Sequence, residues 1–94
     1  VSAIESPGHT AGHMSMLIEL PKGPPILLAG DAADLRENID DEVAPGLCWH
    51  DREDIAIASI RKLKAIAKHT GARLWPNHDL GFYQQCHPFP MHYE

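Results

Sequence analysis

The sequence predicts an α/β fold, a sheet with a helix laid across it. Three features carry this. Met14 to Leu20 alternates with the two-residue period of a strand, Ile26 to Ala29 is a wholly apolar run, and Arg52 to His69 repeats apolar residues at helical spacing. In chain order the pattern reads strand, strand, strand, helix, strand, which suits a sheet covered by a helix.

Val1 to Glu5 alternates weakly and reads as a short strand. Ser6-Pro7-Gly8-His9-Thr10-Ala11-Gly12-His13 is a loop, because one proline and two glycines break either period. The next strand sets Met14, Met16, Ile18 and Leu20 against Ser15, Leu17 and Glu19, and Met14 and Met16 are expected in the core. Pro21 to Pro25 is a turn compatible with a hairpin, and Gly30-Asp31 ends the buried strand Ile26 to Ala29. Residues 32–50 are acidic and read as a long loop with at most one short helical turn.

The helix Arg52 to His69 has Asp51 as its expected N-cap, with Glu53 and Asp54 at the positive end of its dipole. Ala56, Ile60, Leu63, Ile66 and Ala67 share one face, while Arg61, Lys62, Lys64 and Lys68 come later, where the dipole favours cations. Gly71 supplies the stop. Arg73 to Trp75 is a short strand, Pro76-Asn77-His78-Asp79 a loop at its end, and Pro88 and Pro90 argue against regular structure in the tail.

A chain of 94 residues is one small domain or a piece of a larger one, and its opening on Val1 reads as entry into the middle of a strand. The net charge of −5 gives no basic footprint for nucleic acid. The apolar runs are too short to cross a bilayer and no signal-peptide pattern opens the chain, so a cytoplasmic location is expected. Cys48 and Cys86 read as small apolar side chains rather than a redox pair, although one bridge is compatible with the count. Histidine is the unusual component, with 7 residues.

Three candidate metal ligands follow strands: His9 in the glycine-rich loop, Asp31 after Ile26 to Ala29, and His78 after Arg73 to Trp75. Strand ends are where side chains converge on a site in layered α/β folds. Imidazole nitrogen and carboxylate oxygen suit zinc, and also manganese or iron. One carboxylate has two oxygens and can bridge two cations. Taken singly, residues of these types are more often ordinary loop or capping residues, and the three together, on spacing alone, leave both readings open.

The segments Ser6-Pro7-Gly8-His9-Thr10-Ala11-Gly12-His13, Leu27-Leu28-Ala29-Gly30-Asp31 and Asn77-His78-Asp79 resemble the C-terminal part of the metallo-β-lactamase superfamily. Arg36-Glu37-Asn38, the acidic loop and Ser59-Ile60-Arg61-Lys62-Leu63 are similar to its quorum-quenching N-acyl homoserine lactonase branch. The resemblance implies residues 1–94 as the C-terminal half of an αββα sandwich, with His9, Asp31 and His78 as metal ligands. Asp31 would be the catalytic bridging carboxylate between two Zn²⁺ ions, with Mn or Fe as alternatives. His13 and Asp79 would support the ligands from behind.

The implied reaction is lactone opening by attack of a metal-activated hydroxide. The alternatives are a thioester hydrolase of the glyoxalase II kind, another superfamily chemistry, or a non-catalytic metal-stabilised fragment. Expected partners are a small lactone or related ester, with no nucleic acid and no membrane; a homodimer is compatible. The superfamily's His-x-His-x-Asp-His motif is absent, so this chain alone is expected to be inactive. Where lactonases often carry a substrate-binding tyrosine, three residues after the bridging aspartate, this chain has Asp34, a substrate-proximal candidate.

The remaining residues invite plainer expectations. His50 reads as a lead-in to the helix, His69 as a residue of its C-terminus, and His87 and His92 as surface. The acidic stretch Asp34 to Glu42 reads as a solvated face. Trp49, Phe82 and Tyr83 fit either an acyl-chain pocket or core packing.

Overall fold

A computed structural model describes residues 1–88 and 91–94. Four strands form one sheet in the order β1 (Ser2–Glu5), β2 (Met14–Ile18), β3 (Ile26–Leu28), β4 (Arg73–Trp75). β1 to β3 are antiparallel neighbours, joined by the His9 loop and the Pro21–Pro25 turn. β4 lies parallel to β3, and the connection between them carries α1 (Arg36–Asp40) and α2 (Glu53–Thr70). A parallel pair needs such a crossover, because a tight turn can only reverse the chain.

α2 buries Ala56, Ser59, Ile60 and Leu63, the face its apolar spacing predicts. Leu63 packs with Leu27, Leu74, Ala29, Ala32, Ala33 and Ile39 in the main core cluster. Gly71 ends the helix in the left-handed region, φ 74°, which glycine enters without steric cost. Its start differs from expectation. Asp51 itself adopts φ 53°, so Arg52 takes the N-cap position and no side chain caps the helix. The Arg52 guanidinium instead makes a two-pronged pair with Asp54, at 2.9 and 2.8 Å.

The expected face of β2 is reversed. Ser15 is 1% exposed and Leu17 packs against the core, whereas Met14 and Met16 are 42% and 41% exposed. Period-two alternation separates two faces but does not say which one is covered. Here the helix lies over the Ser15 face. Met14 and Met16 join Leu28, Trp75, Pro76 and Tyr83 around an open apolar groove of about 390 Å³.

The 32–50 segment holds more structure than expected: a 3₁₀ turn at Gly30–Ala32, then α1, then a 3₁₀ turn at Trp49–Asp51. The tail adds α3 (Leu80–Tyr83), a single turn that the prolines did not suggest. Pro88 is in irregular chain, as expected, and Pro90 lies outside the described residues. Phe82 and Tyr93 both pack edge-on against Trp75, so Phe82 serves packing, while Trp49 stands 43% exposed beside His50. His50, His69, His87 and His92 are all exposed. Both cysteines are free thiols. Burial, then the charges of Glu53 and Asp51, push the Cys48 thiol above its ordinary value, which keeps it protonated.

The reversal of β2 has a measurable consequence. Leu27→Ala removes a fully buried side chain and is expected to cost about 2–5 kcal/mol in urea unfolding. Met16→Ala on the open face is expected to cost less than about 1 kcal/mol in the same assay.

Candidate metal centre

The parallel pairing of β3 with β4 brings two chain segments to the same edge of the sheet. Ala29 N–H donates to Trp75 O at 3.0 Å, just past the end of β3. Beyond it, Asn77 N–H donates to Ala33 O at 2.9 Å and His78 N–H to Asp34 O at 2.8 Å. These backbone bonds tie residues 31–34 to residues 77–78. As a result one ligand atom each from Asp31, Asp34 and His78 lie within 4.8 Å of one another.

His9 reaches the same place from the other side. Its loop is pressed onto α2: a Cβ on Gly8 would sit 2.6 Å from the Ala56 Cα, so only glycine fits. Ser59 Oγ donates to Pro7 O at 2.5 Å, and Trp49 N–H donates to Gly8 O at 2.6 Å. The His9 ring then donates from Nδ1 to Leu47 O at 3.1 Å, since a carbonyl can only accept. That fixes the tautomer and leaves the Nε2 lone pair free, 3.8 Å from Asp31 Oδ2.

Asp31 therefore has an imidazole on each oxygen: His9 beside Oδ2, and His78 Nε2 at 3.2 Å from Oδ1. Asn77 Nδ2 donates to the same Oδ1 at 2.7 Å. That bond is the main reason the carboxyl titrates below its usual range; burial opposes it, and His78 and His9 assist. The group is thus anionic at neutral pH. With ligand bonds near 2.0–2.2 Å, donors around one tetrahedral zinc stand about 3.3–3.6 Å apart. Both imidazole–carboxylate separations fall close to that range. The donor set suits divalent cations, with one oxygen of Asp31 available to each of two ions.

His13 touches none of these side chains. Its Nε2 accepts the Asp31 backbone N–H at 2.9 Å, so Nδ1 carries the proton in the neutral ring. Nδ1–H then donates to Ser6 Oγ at 2.8 Å, Ser6 donates to Ser15 Oγ at 2.7 Å, and Ser15 donates to Ala29 O at 2.9 Å. The last acceptor is a carbonyl, which sets the direction of the whole chain. Ser6 and Ser15 are 0% and 1% exposed, so each hydroxyl depends on this arrangement. Gly30 makes room for it, since a Cβ there would lie 2.9 Å from His13 Nε2.

Asp79 has a role unlike the expected one. Its two carboxylate oxygens accept backbone donors, Phe82 N–H at 3.0 Å as the N-cap of α3 and Arg36 N–H at 2.9 Å. It clamps the two loops rather than orienting an imidazole. Asp34 lines an open cleft of about 320 Å³ with His9, Asp31, Gly46, Leu47 and His78. The larger apolar groove lies beside it and holds none of these candidate ligands. Sequence reasoning missed Asn77, Ser6 and Ser15. A serine within the alternating pattern of β2 was the available sign of Ser15, and nothing local distinguished Asn77.

No family model matches the chain. It is 32% identical over 94 residues to the N-acyl homoserine lactonase AttM of Azorhizobium caulinodans, covering 100% of this chain and 35% of that protein. It is 37% identical over 90 residues to an N-acyl homoserine lactonase of a Bacillus species, covering 96% of this chain and 35% of the relative. Among solved structures, an N-acyl homoserine lactone hydrolase with N-hexanoyl-L-homoserine bound at its catalytic metal centre superimposes with TM-score 0.82 and 31% identity. That match covers 95% of this chain and 34% of the other. The chain thus spans about a third of the length of these relatives. Its α/β fold is that of the lactonases, and the resemblance to that branch of the metallo-β-lactamase superfamily is borne out along the whole chain.

Two tests follow from the hydrogen bonding. Ser6→Ala strips partners from His13 and Ser15 and is expected to cost about 1–3 kcal/mol in chemical denaturation, with a shift of the Asp31 amide resonance. The Asp79 carboxyl is held below its usual range, first by the Arg36 N–H and then by Phe82. A depressed folded-state pKa stabilises above the unfolded value and is lost as pH falls through the folded one. Acid unfolding of Asp79→Asn is therefore expected to be less steep below pH 3.8 than that of the unaltered chain.

Proposed function

We propose that this chain is the C-terminal portion of a metal-dependent hydrolase that opens the lactone ring of N-acyl homoserine lactones. The carrying observation is the two-sided placement of Asp31, with His9 beside one oxygen and His78 beside the other. In this reading His9 and His78 each ligate one of two divalent cations, zinc by preference, and Asp31 bridges them. Such ions supply an activated water at neutral pH and an electrophile for the substrate carbonyl. Asp31 contributes a carboxylate already ionised, held by Asn77 so that its oxygens diverge toward the two imidazoles. His9 carries its proton on Nδ1, where it donates to Leu47 O, and so turns the Nε2 lone pair to the cleft. His13 fixes the Asp31 backbone, so the carboxylate stays in place when charge builds in the cleft.

Three ligands shared between two ions leave each ion incompletely held, because structural and catalytic zinc sites use three or four protein donors. The remaining ligands are proposed to come from the rest of a longer protein. The exposed Met14 and Met16, with the half-buried Leu28 and Trp75 beside them on the sheet face opposite α2, support that reading. An apolar face of this kind is what a second sheet would cover in a sandwich. The relatives named above are lactonases, and one of them was solved with a lactone-derived product at its metal centre.

The test uses the complete protein that contains this chain, reconstituted with Zn²⁺, and follows acid release from N-acyl homoserine lactone, thioester and phosphodiester substrates. Lactone turnover is expected to dominate and to disappear on chelation. Asp31→Asn is expected to lower kcat/KM by at least about 100-fold. Faster thioester turnover would replace this reading with a thioester hydrolase. Retention of activity by Asp31→Asn would remove the bridging role altogether.

A further inference from the structure

Asp34 carries a carboxylate that the proposed centre has not yet used. It lies in the same cleft, and one of its oxygens shares the 4.8 Å cluster with Asp31 and His78. Its position is not that of a free loop residue. Its own carbonyl accepts the His78 N–H at 2.8 Å, and the carbonyl of the preceding Ala33 accepts the Asn77 N–H at 2.9 Å. The backbone thus holds Asp34 and His78 side by side. Two carboxylates are brought together here, yet among the described residues no lysine or arginine pairs with either one. Asp31 meets His9, His78 and the neutral Asn77 amide, and among the described residues the lysine and arginine ion pairs lie elsewhere, as in Glu42 with Arg61 and Lys64. Two carboxylate oxygens and an imidazole nitrogen gathered this closely form a mixed donor set of the kind that holds a divalent cation.

We propose that Asp34 is a protein ligand to the ion shared by Asp31 and His78, giving that ion three donors from this chain alone. The inference rests on the metal centre proposed above and adds to it. It makes the two ion positions unequal: the His78 side has carboxylate, carboxylate and imidazole, while the His9 side has one imidazole and one carboxylate oxygen. Oxygen-rich donor sets favour hard divalent cations such as Mn²⁺ more than purely imidazole sites do. So far as this chain's donors decide the order, an ion should therefore load on the His78 side before a second binds on the His9 side.

The test is titration of Mn²⁺ into the complete protein that contains this chain, first stripped of metal by chelation. Affinity is read from the resonance signal of the free ion, and location from broadening of the amides of residues 31–34 and 77–78. Asp34→Asn keeps the size of the side chain and is expected to weaken binding by about tenfold or more, with Asp34→Glu recovering part of the loss. Asp40→Asn makes the same change of charge at an exposed position on α1 and is expected to change affinity by less than about threefold, because its charge is screened. His9→Gln is expected to leave the first ion in place. If Asp34→Asn behaves like Asp40→Asn while Asp31→Asn abolishes binding, Asp34 is no ligand although the centre stands. If Asp31→Asn also leaves binding intact, both readings fail. Absence of local broadening in the unaltered complete protein at millimolar Mn²⁺ overturns the three-donor site outright.

Discussion

The parallel pairing of β3 with β4 is the constraint on which the site depends. It is a short ladder, with Leu27 opposite Leu74 and both packed beneath Leu63 of α2. Its backbone bonding does not stop with the strands. It continues through Ala29 to Trp75, Ala33 to Asn77 and Asp34 to His78. Side chains that lie far apart in sequence therefore inherit their separation from a sheet register, which is among the most rigid relations a backbone can offer. The hydrophobic core and the polar cluster are thus two ends of one arrangement.

A second layer of order is directional. Imidazole can present a proton or a lone pair from either nitrogen, and the neighbours decide which. The Leu47 carbonyl fixes the proton of His9 on Nδ1, and the Asp31 amide fixes that of His13 in the same way. The consequences differ because the rings point in different directions. His9 offers its lone pair to the cleft, while His13 uses its own to hold backbone. The two histidines of one loop thus take separate tasks, and the difference lies in what each Nε2 faces.

Glycine matters at two places for reasons of space. Gly8 allows the His9 loop to approach the Ala56 backbone, and Gly30 allows His13 to approach Asp31 while taking φ 61°. The pattern Pro-Gly-His-Thr-x-Gly-His followed by Gly-Asp is legible in the sequence as a motif, and the structure gives its physical content. One glycine is a docking surface for a helix, and the other is a turn under an imidazole. Gly12, by contrast, has open space around it.

The order of elements, the buried face of α2, its glycine stop and the placement of His9, Asp31 and His78 just past strands were all legible in the sequence, because they follow from local periodicity and from residues that break it. The tertiary structure decided which side of β2 is buried, since alternation defines two faces and only the position of α2 selects one. It decided that Asp79 clamps α3 and α1, that Arg52 begins the helix, and that Asn77 grips Asp31. Those outcomes join residues distant in the chain. A hydrogen bond across such a distance exists only once the sheet has set two loops side by side, and no local pattern encodes it.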